Sequence, residues 1–446
     1  MERKIVILGA GRSSVYLIEY LQNWCGKSKW ELCIADQFPA PHLSSVLNPF
    51  TEFRIIEISD PTARKNLFSG ATLVVSMLPA FMHPVIAETC LELGIHMATA
   101  SYESDEMRAL KTQIENKGLY FLNECGLDPG LDHMSSMRIL DSLRRQGANI
   151  TGFHSYCGGL VANESIDNPW GYKFSWNPRN VILAGQGTAK FLEDGQLKFL
   201  PYHRLFQNIK EIELQTGEIF DGYANRDSLA YQGIYGLNSL KNLTRGTLRH
   251  KGFCEAWNIF VQMGITDDSY SFPLETISTY GDFSSAFLPG NGKDLKRRIE
   301  LLNKDKRYSP MAIEMVLWTG LFSDEPIQIK QGSPAAILQD LLERKWKLNP
   351  SDKDRVVMHH IVEYELEGIK RRWISTLDLN GQDQKYTAMA KTVGLPLAIA
   401  IRLLLEKKIT GKGLLLPVKS DFYQPVLKEL EDEFNISFSE EITSSE

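Results

Sequence analysis

Gly9-Ala10-Gly11-Arg12-Ser13-Ser14 is the first stretch of this chain whose residue types and spacing suggest chemistry. It follows the apolar run Ile5-Val6-Ile7-Leu8. It precedes Val15, Leu17, Ile18, Leu21 and Trp24, which fall near helical spacing. In such a strand–turn–helix the first glycine permits a tight turn. The second lets backbone approach a pyrophosphate, which a helix N-terminus favours electrostatically. Ser14 stands where a third glycine is usual, so the pattern points to a dinucleotide through its context rather than its letters. Asp36 ends the next apolar run, 25 residues after Gly11. A carboxylate there can accept hydrogen bonds from adenosine ribose hydroxyls, or it is a solvated loop acid. Met77-Leu78-Pro79 follows a further core run, where a loop would cover a cofactor, so Leu78 joins the expected cofactor contacts.

A second segment, Asn123-Glu124-Cys125-Gly126-Leu127-Asp128-Pro129-Gly130-Leu131-Asp132-His133, lies between an expected strand and an expected helix. Its glycines and proline fix a turn at the rim of the sheet. Asp128 is then a carboxylate at the strand's carboxyl edge, where ligands bind in such sheets, or else a helix-capping acid. His133 reads as a packing or capping residue ahead of a catalytic one.

These loops need a scaffold, and the alternation of the first 130 residues supplies one. Strands are expected at Glu31–Ala35, Phe53–Ile58, Ala71–Leu78, Ile95–Ala98 and Leu119–Leu122. Helices are expected at Ala80–Leu93 and Glu103–Lys117. This is the pattern of a doubly wound parallel sheet, a Rossmann unit of the α/β class. After about residue 148, turn signals such as Asp194-Gly195 and Thr216-Gly217 separate short strand-like runs, as in antiparallel pairing. Arg355–Leu366 and Lys370–Leu379 predict a hairpin turning at Glu367-Gly368. Met311–Trp318, Ala335–Trp346 and Lys385–Lys407 read as helices, with Pro396 expected to kink or break the last. The polar end Glu440–Glu446 reads as a frayed tail.

Bulk properties bound the function. A chain of 446 residues suggests two or three domains. With 43% hydrophobic and 23% charged residues it is an ordinary globular protein. A net charge of −6 argues against a nucleic-acid surface. No apolar run reads as long enough to span a membrane, and Met1-Glu2-Arg3-Lys4 does not begin a signal peptide. A cytoplasmic location is therefore expected, with no membrane partner. Cys25, Cys33, Cys90, Cys125, Cys157 and Cys254 form no Cys-x-x-Cys pair. Reduced thiols and no metal site are expected.

Longer motifs carry a resemblance. Ala98-Thr99-Ala100-Ser101-Tyr102, Gly126-Leu127-Asp128-Pro129-Gly130 and Ser155-Tyr156-Cys157-Gly158-Gly159-Leu160 form one series. Asp167-Asn168-Pro169, Gly171-Tyr172-Lys173-Phe174-Ser175-Trp176, Asn225-Arg226-Asp227-Ser228, Arg245-Gly246-Thr247-Leu248-Arg249 and Tyr386–Gly394 continue it. Together they resemble the saccharopine dehydrogenase family in its glutamate-forming branch, over nearly the whole chain. The block Tyr156–Trp176 is the most specific part.

That resemblance implies a reaction, an architecture and a set of contacts. Saccharopine would be oxidised at the carbon beside its secondary amine, using NAD or NADP. The resulting imine would hydrate and collapse to glutamate and 2-aminoadipate 6-semialdehyde. The implied architecture is a Rossmann domain over residues 1–131, with a mixed α/β substrate and dimerisation domain over 132–289 and 351–420. A small helical domain over 290–350 and a C-terminal helix and tail over 421–446 complete it, in a homodimer. Ser101, Tyr102, Asp128, Arg226, Thr247, Leu248 and Arg249 match substrate-contacting positions. Leu127, Asp128, Pro129 and Ser175 match cofactor contacts, beside Gly9, Gly11, Arg12, Ser13 and Ser14. Cys157 matches a thiol near the reacting centre.

The substrate's chemistry fits these residue types. Saccharopine has three carboxylates, and Arg226 and Arg249 can each grip one through two parallel N–H bonds. Imine hydrolysis needs a proton carrier: Asp128 leads, with Tyr102 and Cys157 behind it. Fungal NADP-dependent members carry an arginine at the end of the second strand. Asp36 stands there in this chain, which favours NAD. The rival readings are a reductive coupling enzyme of the carboxynorspermidine or homospermidine synthase kind, and a catalytically silent nicotinamide-binding scaffold.

Overall fold

The structure, a computed structural model, describes residues 3–49, 51–290 and 294–444. The chain forms two compact units: Met1–Asn149 with Leu379–Ser439, and Ile150–Asp378 with Glu440–Glu446.

In the first unit the apolar runs are strands: Lys4–Leu8 (β1), Glu31–Asp36 (β2), Thr51–Ile55 (β3), Leu73–Ser76 (β4), His96–Thr99 (β5) and Tyr120–Leu122 (β6). The strand Gly413–Leu415 pairs with β6 and completes a seven-stranded sheet, ordered from that strand through β6, β5, β4, β1 and β2 to β3. Every pairing is parallel. Ile5, Val6 and Ile7 are fully buried, as both faces of a helix-covered sheet require. Strand order reverses between β1 and β4, which opens the crevice where such sheets bind ligands.

The helix Ala388–Leu405 belongs to this unit and packs on the helix Val15–Ser28. The two backbones come so close at Gly394 that a Cβ there would sit 2.9 Å from the Leu17 nitrogen. Tyr386 Oη donates to Glu19 beside this seam, 2.6 Å away. Two expectations are corrected here. Of the kink or break expected at Pro396, the break does not occur: the helix runs unbroken through it. It is also long and apolar enough to cross a membrane, but 78% of that stretch is buried inside the fold, which marks a core helix.

The second unit holds Asn149–Val161 (β7), Thr188–Glu193 (β8), Gln196–Pro201 (β9), Lys210–Glu213 (β10), Ile219–Ala224 (β11), Asn242–His250 (β12), Asp354–Leu366 (β13) and Ile369–Asn380 (β14). Its mixed sheet runs β10, β11, β12, β7, β13, β14, then the strand Ser439–Ser444, with the β8–β9 hairpin branching from β12. The β13–β14 hairpin turns at Glu367 and Gly368, both at positive φ as a two-residue turn demands. The tail expected to fray is that last strand as far as Ser444. Ser375 Oγ donates to Glu440 at 2.9 Å.

One face of this sheet carries an aromatic core of Trp170, Tyr172, Phe174, Phe253, Trp257 and Trp346. The helices Pro310–Trp318 and Pro334–Lys345, from the stretch expected to be helical, pack into that same core within the second unit. The helix Leu131–Arg145 lies in the first unit, and the chain re-enters that unit at Leu379.

Candidate active site

The glycine turn is built for a visitor. Gly9 has φ +93°, and a Cβ there would lie 3.0 Å from the Met77 carbonyl oxygen, so this glycine is required by the fold itself. Gly11 is different: its φ is ordinary and a Cβ would meet nothing within 4 Å. Its smallness matters only to something outside the chain, as a pyrophosphate would be. Ser14 Oγ donates to the Gly11 carbonyl at 2.7 Å and steadies the turn at the helix start. Ser13 is half-buried and Arg12 exposed beside it. Leu78 is half-buried against the apolar cluster of the sheet.

Asp36 is no solvated loop acid. One carboxylate oxygen accepts the Ala10 N–H at 2.7 Å, and the other accepts the Phe38 N–H at 3.0 Å. The group is locked against the glycine turn, so the residues present fit a dinucleotide. Two substitutions separate the roles of the glycines. Gly9→Ala should cost about 1–3 kcal/mol of stability, through strain at positive φ. Gly11→Ala should leave stability within about 1 kcal/mol but raise the nucleotide KM roughly tenfold. Thermal melts with and without nucleotide read both; an unchanged nucleotide KM in Gly11→Ala would contradict the cradle.

At the same carboxyl edge, the loop after β6 isolates one acid. Between Leu119 and Met137 every residue is buried except Asp128. The loop closes on itself through Gly126 N–H to the Pro129 carbonyl at 2.9 Å and Leu131 N–H to the Gly126 carbonyl at 2.8 Å. Beneath it, His133 Nε2 lies 2.8 Å from Glu124 Oε2, and Glu124 Oε1 accepts the Glu103 N–H at 3.0 Å. His133 is therefore buried and held on Glu124 beneath the loop. Leu127 and Pro129 are buried in the loop, and their carbonyls close it. Tyr102 Oη donates to Asp128 Oδ1 at 2.9 Å. Ser101, half-exposed beside Tyr102, has its hydroxyl 2.8 Å from His83 Nε2. The structure thus brings Ser101, Tyr102, Asp128, Asp36 and the glycine turn to one edge of one sheet.

The second unit gathers the other expected residues on its own sheet. Thr247 on β12 is in register with Cys157 on β7 and Tyr223 on β11. Cys157 is 8% exposed, and no disulfide joins any of the cysteines among the described residues. Arg249, two residues on, is 3% exposed. Its guanidinium lies 5.3 Å from the centres of both the Tyr172 and Phe253 rings. One nitrogen donates to the Leu248 carbonyl at 3.1 Å, but Nε has no partner. Among the described residues no carboxylate pairs with this buried cation. The nearest register neighbour, Asp221, accepts the Gly252 N–H at 2.9 Å instead.

Arg226 sits exposed in a left-handed turn after β11, with φ +51°. Arg226 lies two residues past the Ala224–Gly246 pair that ends the β11–β12 ladder, whereas Arg249 is paired with Asp221 within it. Ser175 Oγ is buried without a partner in the chain. The Leu248 side chain is fully buried in the apolar core on the opposite face, with Tyr156, Phe220 and Val357. Only the Leu248 backbone can serve a ligand on the Thr247 face. Sequence reasoning also passed over Arg245, whose guanidinium stacks 4.0 Å over the Tyr231 ring. The two-residue period of β12 places it on the face of Thr247 and Arg249 and would have found it.

A reversal of strand order beside a glycine turn with open space above it is the architecture of a Rossmann-type, nucleotide-dependent oxidoreductase. The chain belongs to the saccharopine dehydrogenase family. The saccharopine dehydrogenase NADP binding domain matches residues 5–122, and the saccharopine dehydrogenase C-terminal domain matches 126–436. The saccharopine dehydrogenase (NADP(+), L-glutamate-forming) of Saccharomyces cerevisiae is 32% identical, covering 86% of this chain and 87% of that protein. That of Schizosaccharomyces pombe is 30% identical over 99% of both. The mitochondrial alpha-aminoadipic semialdehyde synthase of Mus musculus is 32% identical, and there the chain spans about half the relative's length, 47%. The solved apo saccharopine dehydrogenase (L-Glu forming) of S. cerevisiae superposes with a TM-score of 0.86 at 29% identity, over 99% of this chain and 100% of that one. A homospermidine synthase from Legionella pneumophila, at 10% identity and TM-score 0.58, shares the fold alone.

Proposed function

We propose that this chain catalyses the reversible oxidation of saccharopine to L-glutamate and 2-aminoadipate 6-semialdehyde, in lysine metabolism. The observation that carries this reading is Asp128, the one half-exposed residue of a buried loop, held by Tyr102 at the nucleotide edge of the sheet. A nicotinamide cofactor, when bound, supplies the hydride acceptor. Gly11, Ser13 and Ser14 would hold its phosphates and Asp36 its ribose, with Leu127 and Pro129 as further contacts.

Each unit's part follows from its own geometry. Asp128 takes the proton from the attacking water as the substrate imine hydrates, and returns one to the departing amine. Tyr102 fixes which carboxylate oxygen does this. Ser101 hydrogen-bonds the substrate. In the second unit Arg226 and Arg249 hold carboxylates, and Thr247 stands between them. Cys157, beside Thr247, is the second proton carrier to examine. The test is cofactor reduction, read by near-ultraviolet absorbance, with saccharopine as sole substrate. No reduction of either nicotinamide at saturating saccharopine overturns the proposal.

The cofactor we propose is NAD, although the family model and the fungal relatives carry the NADP name. The Asp36 carboxylate is anchored toward the glycine turn by the Ala10 N–H. A 2′-phosphate beside it would feel like-charge repulsion of up to roughly 4 kcal/mol at about 4 Å near a protein surface. A quarter of that shifts preference about fivefold. Wild type should therefore show the higher kcat/KM with NAD, and Asp36→Ala should lose most of the discrimination. A wild-type ratio favouring NADP tenfold would refute it.

A further inference from the structure

His83 joins two parts of the nucleotide edge that no motif connects. A single 3₁₀ turn, Ala80–Met82, follows β4 and brings His83 in as the first residue of the helix His83–Leu93. The imidazole is 3% exposed. Its Nδ1 lies 2.9 Å from Ser76 Oγ at the end of β4, and its Nε2 lies 2.8 Å from Ser101 Oγ just beyond β5. Thr99, in register with Ser76, places its hydroxyl 3.4 Å from the same Nε2 and accepts the Ser101 N–H at 3.2 Å. Ser76 is fully buried, so the only end of this chain of hydrogen bonds that reaches outward is Ser101.

The ring's charge state restricts what Ser101 can do. Burial pushes the His83 pKa down to about 4, so the imidazole is neutral at neutral pH. A neutral imidazole has one N–H and one lone pair. With both nitrogens on hydroxyls, one serine must donate to the ring and the other must accept from it. In either tautomer the Ser101 oxygen is held on Nε2, where an unheld serine samples three rotamers.

We infer that His83 is a positioning residue, which fixes the Ser101 hydroxyl for its hydrogen bond to the substrate through a Ser76–His83–Ser101 bridge. This rests on the reading that Ser101 contacts saccharopine.

A double-mutant cycle in the full-length protein tests it, with KM read separately for saccharopine and for nicotinamide. His83→Leu removes both ring contacts and should raise the saccharopine KM about tenfold, the scale of one lost hydrogen bond to a bound ligand. The nicotinamide KM should stay within about twofold. His83→Gln, which returns a polar group near Nε2, should recover most of the loss. Ser101→Ala should weaken saccharopine by itself, and adding His83→Leu to it should change little more. A saccharopine KM within twofold of wild type in His83→Leu overturns the inference alone. So does a full His83→Leu effect that persists in the Ser101→Ala background, since His83 would then be only a core residue. If Ser101→Ala leaves saccharopine kinetics unchanged, the contact itself is wrong and the inference falls with it. Should His83→Leu fail to fold, the cycle is run with His83→Gln, where a loss of saccharopine affinity that persists in full with Ser101→Ala is again the overturning result.

Discussion

Asp128→Asn is expected to lower turnover with saccharopine by about 10²-fold or more, the usual scale for removing a general acid–base group. Asparagine keeps the shape and can still accept from Tyr102, so the buried loop around it should hold its structure. What it loses is the exchangeable proton. The pH–rate profile should therefore lose one limb, while the KM for nicotinamide stays near the wild-type value. A profile of unchanged shape would mean that Asp128 orients the substrate without moving protons, and Cys157→Ser would then be the next variant. Tyr102→Phe should cost less, because the carboxylate remains and only its anchor goes.

The second large effect is expected at the two arginines, which differ in a way the sequence did not show. Arg249 is a buried cation with no carboxylate partner among the described residues and an unpartnered Nε. Leaving such a charge unpaired destabilises a fold, and two ring faces offset only part of it. Arg249→Met should therefore keep or raise the melting temperature while raising the saccharopine KM more than about tenfold. Arg226 is exposed, so Arg226→Ala should change stability by no more than about 0.5 kcal/mol and still weaken saccharopine about tenfold. Salt should weaken binding through Arg226 more than through Arg249, since only the exposed charge is well screened. If Arg249→Met binds saccharopine like wild type, the guanidinium belongs to the aromatic core and not to the substrate.

What was legible in the sequence follows the range of the interactions involved. The β1 run, the Gly9 turn and the acid at the end of β2 are local patterns, and each lies where the pattern put it. The β13–β14 hairpin was equally readable, because its turn residues sit between its two arms. The strand Ser439–Ser444 was not, because it pairs with β14 some sixty residues earlier and looks like a polar tail by itself. Pro396 was expected to disturb its helix. The helix continues through it because packing on the helix Val15–Ser28 offsets the lost hydrogen bond, and no residue nearby in sequence announces that packing. Leu248 was included with its neighbours because a motif is read as a block, whereas a strand sends alternate residues to opposite faces. His83 carried no signal at all: a lone histidine acquires meaning only when β4 and β5 place Ser76 and Ser101 on either side of it.

The return of Leu379–Ser439 to the first unit governs how the protein can be made. The ribosome releases the glycine turn and six of the seven strands early. The strand Gly413–Leu415 and the apolar helix Ala388–Leu405 emerge only after the whole of Ile150–Asp378. At translation rates of about 5–20 residues per second, that interval is on the order of 10–45 s. Through it the nascent nucleotide unit exposes the apolar face of the helix Val15–Ser28 and an unpaired β6 edge, a template for association with other chains. A gene fragment ending near residue 149 would make that interval permanent.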